Sequence, residues 1–270
     1  MFWGVNALRG LTAVAVNVVP AAGWFLDEWS AGTTLAVYWF ENVAACLLIA
    51  IRIAVHRRLS PRRGHYRYQA PSTKRGSAQS GTFLGGFLVT SLVFSAAHGV
   101  FLGFILFMLN KKGDVLLAAI DWRSVGAGCL LVFVFLIVDL CADLPRLRSW
   151  PFLRIEQLAN QGLGRVVVVH LTLIFGLLAV VLTDAPSALF GVFVVLKTLY
   201  ALAQVLPQWN PETPPSWMSR LMNRLPNPGD TFEEQWTQGR AAEAQRRDGN
   251  EQLWTRKRQG REGFGRSVQR

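Results

Sequence analysis

SVGAGCLLVFVFLIVDLC, residues 124–141, is eighteen residues long and carries a single charged side chain, Asp139. A bilayer core of about 30 Å needs roughly 20 mostly apolar residues at about 1.5 Å each if a helix is to cross it. The stretch therefore predicts a transmembrane helix. Working outward, five further blocks meet the same criterion, at about 7–26, 33–54, 82–108, 165–183 and 187–206. The third span is long enough to tilt or protrude. Pro20 lies inside the first, and Pro186 sits where it opens the sixth. The expected fold is an all-α, polytopic bundle of six transmembrane helices over residues 1–206. The chain is 51% hydrophobic and only 17% charged, against the roughly 25% charged of soluble domains, which excludes a soluble globular reading.

The loops set the orientation. Residues 52–81 hold eight Lys and Arg and no acid, whereas the turn around Asp27 and Glu28 and the hairpin Thr183-Asp184-Ala185-Pro186 hold no Lys or Arg. Lys111, Lys112 and Arg123, then Arg146, Arg148, Arg154 and Arg165, mark two further basic connections. By the positive-inside rule both termini are expected in the cytoplasm of a bacterial plasma membrane. The net charge of +11 then belongs to loops facing lipid headgroups, not to a nucleic-acid interface. Anionic lipid is the expected partner of the basic loop 55–81. The small residues Pro20-Ala21-Ala22-Gly23 resemble a signal cleavage region, but apolar character continues through Trp24, Phe25 and Leu26 and favours a retained span.

From Pro207 the composition turns polar, and residues 207–270 read as a cytoplasmic tail. Four prolines in 207–215 make a linker. Residues 216–225 follow an amphipathic period, with Trp217, Met218, Leu221, Met222 and Leu225 on one face and Arg220, Asn223 and Arg224 on the other. That pattern fits a helix in the headgroup layer, and equally a helix on the protein's own loops. Thr231-Phe232-Glu233-Glu234 predicts a capping box opening a charged helix towards Arg247. Residues 249–270 and the loop 60–81 have the composition of mobile segments.

An ionisable group in hydrocarbon needs a partner or a purpose. Counting along each span places Asn17, Glu41 and Lys197 near mid-bilayer, with His98 further out, His170 nearer the cytoplasmic side, and Asp139 and Asp143 at the cytoplasmic end of the fourth span. Glu41 and Lys197 are expected to pair, as a charged site or as a structural lock. Asn17, Glu41, Asn42, His98, His170 and Lys197 are the candidate residues for binding an ion or polar solute; no catalytic residue is assigned. Glu41 with two imidazoles would suit zinc, but the histidines lack motif spacing, so neither metal nor cofactor is expected. Cys46, Cys129 and Cys141 read as small buried hydrophobes. Ser91, Ser95, Gly99 and Gly85-Gly86 suggest close helix packing, and Tyr38 and Trp39 aromatic packing.

Tyr38-Trp39-Phe40-Glu41-Asn42, preceded by Asn17 and Pro20, resembles an uncharacterised bacterial membrane-protein family, domain of unknown function 6498. Gly164 to Thr172 and Leu196-Lys197-Thr198 resemble its later signatures, in order across roughly residues 5–206. The family commonly carries two histidines eight apart in the third span; Thr90 stands at the first and His98 at the second. An Asp common after the Lys-Thr pair corresponds to Ala201. The resemblance brings no activity, substrate or cofactor. Three classes of function follow from the residues: transport or permeation through a mid-bilayer polar site, intramembrane acid/base or metal-dependent catalysis, and non-catalytic scaffolding.

Overall fold

The computed structural model describes residues 12, 15–16, 18–20, 22–71, 81–112, 118–183, 196, 199–200, 211–224 and 231–254. Every regular element among them is helical: α1 (Ala31–Leu59), α2 (Arg63–Tyr66), α3 (Phe83–Lys112), α4 (Trp122–Asp143), a 3-10 turn (Leu144–Ser149), α5 (Phe152–Thr183), α6 (Ser216–Met222) and α7 (Phe232–Glu251). Ala31–Leu59, Phe83–Met108 and Trp122–Ser149 are long and apolar enough to cross a membrane. The first expected span is helical at 18–20 and 22–25, and the sixth at Leu196, Leu199 and Tyr200, with their other residues mostly outside the described set.

The chain divides into two units, 1–59 with 84–150 and 154–206, and 60–83 with 151–153 and 207–270. In the first unit, Ser30 caps α1 by accepting a hydrogen bond from Thr33 N at 3.1 Å. Asp121 caps α4 by accepting from Arg123 N at 3.1 Å, and its own N–H donates to Thr33 Oγ1 at 2.9 Å, joining the two helix starts. Hydrogen bonds from the Ser124 hydroxyl and then the Arg123 N–H hold the Asp121 carboxyl below its usual range. Val37 and Val132 pack with Val16, flanked by Trp29, Val125 and Leu136. Gly128 permits that approach: a Cβ there would stand 2.7 Å from the Trp29 ring. Outward, Val89, Val93, Val100 and Phe104 on α3 and Leu130, Leu131 and Val134 on α4 are exposed, an apolar exterior of the kind lipid requires.

α5 begins well ahead of the expected span. The expected fifth span began at residue 165, after a basic connection, yet the helix starts at Phe152. Phe152, Ile155, Ala159, Gly162 and Val166 are buried at spacings of three and four. The stretch is thus amphipathic, not uniformly apolar, and a search for apolar blocks passes over it.

In the second unit, loop and tail fold on each other. Asn250 and the Gln69 backbone exchange two hydrogen bonds, Gln69 N to Asn250 Oδ1 and Asn250 Nδ2 to Gln69 O, both 3.1 Å. Arg246 Nη1 donates to Gln69 O at 2.8 Å, Arg63 N to Gln252 O at 2.7 Å and Trp254 N to Pro61 O at 3.1 Å. Tyr66 stacks on Trp254 with centroids 4.8 Å apart, and Phe152 meets His65 and Phe83 edge-on. The Phe152 N–H donates to Glu251 Oε2 at 2.6 Å. Residues 60–71 and 249–254, expected as mobile, are therefore ordered, because aromatic burial and backbone pairing supply what their polar composition does not. Residues 72–80 and 255–270 lie outside the described residues.

α7 opens with the expected capping box: Glu234 N donates to Thr231 Oγ1 at 3.3 Å and Thr231 N to Glu234 Oε2 at 2.9 Å. Near its end Glu243 accepts from Arg246 and Arg247 at 2.7 and 2.6 Å, and hydrogen bonding first to Arg246 brings its carboxyl down from 4.5 to about 2.

Candidate functional site

Glu41 faces inward because α1 buries a continuous stripe, Val37, Tyr38, Glu41, Ala45 and Leu48, at helical spacing. Its side chain is 0% exposed. Arg165 on α5 approaches it, Nη1 to Oε1 3.5 Å, with 31% of the arginine side chain still exposed. The pair thus ties α1 to α5 through a long, weak hydrogen bond between a fully withdrawn carboxylate and a guanidinium that keeps one side open. Sequence reasoning counted Arg165 among the loop cations. Lys197, the expected partner, lies outside the described residues, as does Asn17. The backbone of His170 is helical in α5, but its side chain is not described.

Around Glu41 the polar layer continues. Asn42 is buried, and among the described residues neither its amide nitrogen nor its amide oxygen has a hydrogen-bond partner. On α3, Ser91, Ser95 and His98 are all buried. The Trp39 indole N–H donates to Ser95 O at 2.9 Å, which fixes α3 against α1. Gly99 makes room for that bond, since a Cβ there would stand 3.0 Å from the indole nitrogen. Among the described residues nothing stands within 4 Å of a Cβ placed at Gly86, whereas the close packing expected at Gly99 is present. Tyr200 OH donates to Gln161 O on α5 at 3.1 Å, beside Gly164.

A second polar cluster was not anticipated. Arg52 Nε donates to Asp143 Oδ2 at 2.9 Å and Nη2 to Asp139 Oδ2 at 2.6 Å. Arg52 and Asp143 are almost fully buried, while Asp139 retains 31% exposure. One turn beyond, His56 Nε2 lies 3.0 Å from Trp150 O. The spacing was informative. Arg52 follows Glu41 by eleven residues, three helical turns, so the two share a face; Asp139 and Asp143 are four apart on α4. Arg52 was read only as the first cation of a basic loop, which hid its partnership.

The arrangement offers an acid, an amide, hydroxyls and an imidazole inside an otherwise apolar bundle. Among the described residues no three His, Cys, Asp or Glu side chains are grouped to hold a metal ion. No curated protein and no solved structure matches the chain. A family of unknown function, DUF6498, matches over residues 6–216, which take in Glu41, Asn42, Arg52, His98, Asp143 and Arg165. That match covers most of the sequence and every element of the polar layer, and the chain belongs to the DUF6498 family.

Proposed function

We propose that the chain is a multi-pass protein of a bacterial plasma membrane, with six spans and cytoplasmic termini, which passes an ion or small polar solute through a polar site at Glu41, Asn42 and His98. Asn17 and Lys197 belong to the same proposed site by depth in the sequence, with His170 on its cytoplasmic side. The observation that carries the reading is Asn42. A carboxamide has two donor hydrogens and an acceptor oxygen, and burial without partners costs about 1–3 kcal/mol. Among the described residues Asn42 has neither need met, beside a withdrawn carboxylate. A permeating polar species would satisfy that amide in transit, where an apolar side chain would serve a purely structural helix better.

A scaffold is the second reading, favoured by the Arg52 clamp, which consumes three charged groups in holding α1 to α4. Catalysis has no comparable support.

The test is flux in proteoliposomes of bacterial-type phospholipid. Glycerol and urea entry is followed by light scattering, and proton and potassium movement by entrapped dyes. At least one flux should exceed that of protein-free vesicles severalfold and fall to background in Asn42→Leu and Glu41→Gln. Folded protein that carries none of the four above background overturns the reading in favour of the scaffold.

A further inference from the structure

The face that α6 turns outward carries both cationic and apolar side chains. Ser219 is buried, and Asn223 is tied to the start of α7: its Oδ1 accepts from Phe232 N at 2.9 Å and its Nδ2 donates to Glu233 Oε2 at 3.0 Å. At 100° per residue these two lie within about 40° of each other and define the inner side. The neighbouring arc, about 100° wide, runs Arg220, Arg224, Trp217, Leu221. All four are exposed, Trp217 by 59% and Leu221 by 56%. Cationic and apolar side chains therefore stand side by side on this exposed arc. The Arg220 Nε bond to Ser216 O at 3.2 Å lays that side chain along the helix.

We propose that α6 docks on an anionic bilayer surface, with Trp217 and Leu221 at the acyl boundary and Arg220 and Arg224 on the lipid phosphates. The chemistry is complementary on both counts. An indole prefers the headgroup level, where its ring is apolar and its N–H wet, and each arginine near an anionic surface favours contact about fivefold. Helix formation adds a second argument. Seven residues do not hold a helix alone in water, yet α6 is held in shape by Asn223 and α7, so docking loses little conformational freedom. The helix bears no acidic residue to oppose the lipid charge. This inference stands apart from the flux reading: either can fail while the other holds.

The experiment uses the full chain in nanodiscs, with Cys46, Cys129 and Cys141 replaced by Ala and a nitroxide on Leu221→Cys or, as a water-exposed reference, on Glu212→Cys. Oxygen, which concentrates in lipid, and a water-soluble nickel chelate compete to relax the label. In discs with anionic phospholipid the Leu221→Cys label should favour oxygen severalfold over the reference. It should become water-like in zwitterionic discs, and also when Arg220→Glu and Arg224→Glu are added. Thermal unfolding of each variant within a few degrees of the parent shows the body intact. A label as water-accessible as the reference in anionic discs overturns the proposal. So does a label shielded from both relaxants, the signature of a protein surface covering the face.

Discussion

Arg52 and Asp143 meet at 2.9 Å with both side chains withdrawn from solvent, and Asp139 completes the clamp from a partly exposed position. Deleting the cation leaves a buried carboxylate uncompensated, at a cost of about 3–5 kcal/mol. Arg52→Met should therefore lower the thermal midpoint in detergent strongly. Asp143→Asn should cost more than Asp139→Asn, because the exposed carboxylate is already partly solvated. Equal losses at the two aspartates would refute the burial argument.

Glu41 and Arg165 should couple. In a double-mutant cycle of Glu41→Gln and Arg165→Met, unfolding should give an interaction energy of about 0.5–3 kcal/mol, at the low end given the 3.5 Å separation and the open side of Arg165. Strict additivity would remove the pair. A parallel cycle with Lys197→Met reads the pairing the sequence suggested; coupling there as well makes Glu41 the centre of a three-member network.

Trp39 and Gly99 should be interdependent. Trp39→Phe removes one hydrogen bond to Ser95 O, worth about 0.5–1.5 kcal/mol. Gly99→Ala places a methyl about where the indole nitrogen needs room. The alanine should cost clearly less in the Trp39→Phe background than in the parent, as read by chemical denaturation. The same penalty in both backgrounds would show that Gly99 serves something other than Trp39.

The end of α7 should weaken in acid. Glu243 titrates at about 2 when folded against an ordinary 4.5, so its contribution is fully present above about pH 4.5 and is lost as pH falls through about 2. Hydrogen exchange of the amides in 240–251 should accelerate over that window relative to its intrinsic rate. Glu243→Gln should weaken protection at neutral pH and flatten the response to acid. An unchanged acid response in that variant would assign the effect to another carboxylate.

The apolar blocks told most about the helices whose apolar composition is uniform. Residues 33–54 and 124–141 fall inside α1 and α4, and all of 82–108 but its first residue falls inside α3, because a long apolar run has little alternative to a helix in lipid. What they missed was mixed in character. The start of α5 is amphipathic, so composition took Arg154 and Arg165 as loop, whereas one ends beside Trp150 and the other at Glu41. At the site, burial of Glu41, Asn42 and His98 was legible from depth. The identity of partners was not, since pairing depends on which helices adjoin and at what rotation, and a single sequence carries that only faintly. Arg52 shows the limit: orientation statistics and an ion pair both want a cation at a helix end, and the first explanation concealed the second.

The reciprocal hydrogen bonds between Asn250 and Gln69 have a practical consequence for anyone cutting or tagging the protein. A stop codon placed after Trp254 keeps that seam closed, with the Tyr66 stack and the Arg63 and Pro61 backbone bonds intact. A stop placed ten residues earlier does more than shorten the tail. It strips Gln69, Arg63, Pro61 and the Phe152 N–H of partners at once, and hands proteases a stretch near residue 65 that the intact chain keeps out of reach. Nicking there would be the first visible sign of damage done nearly two hundred residues downstream.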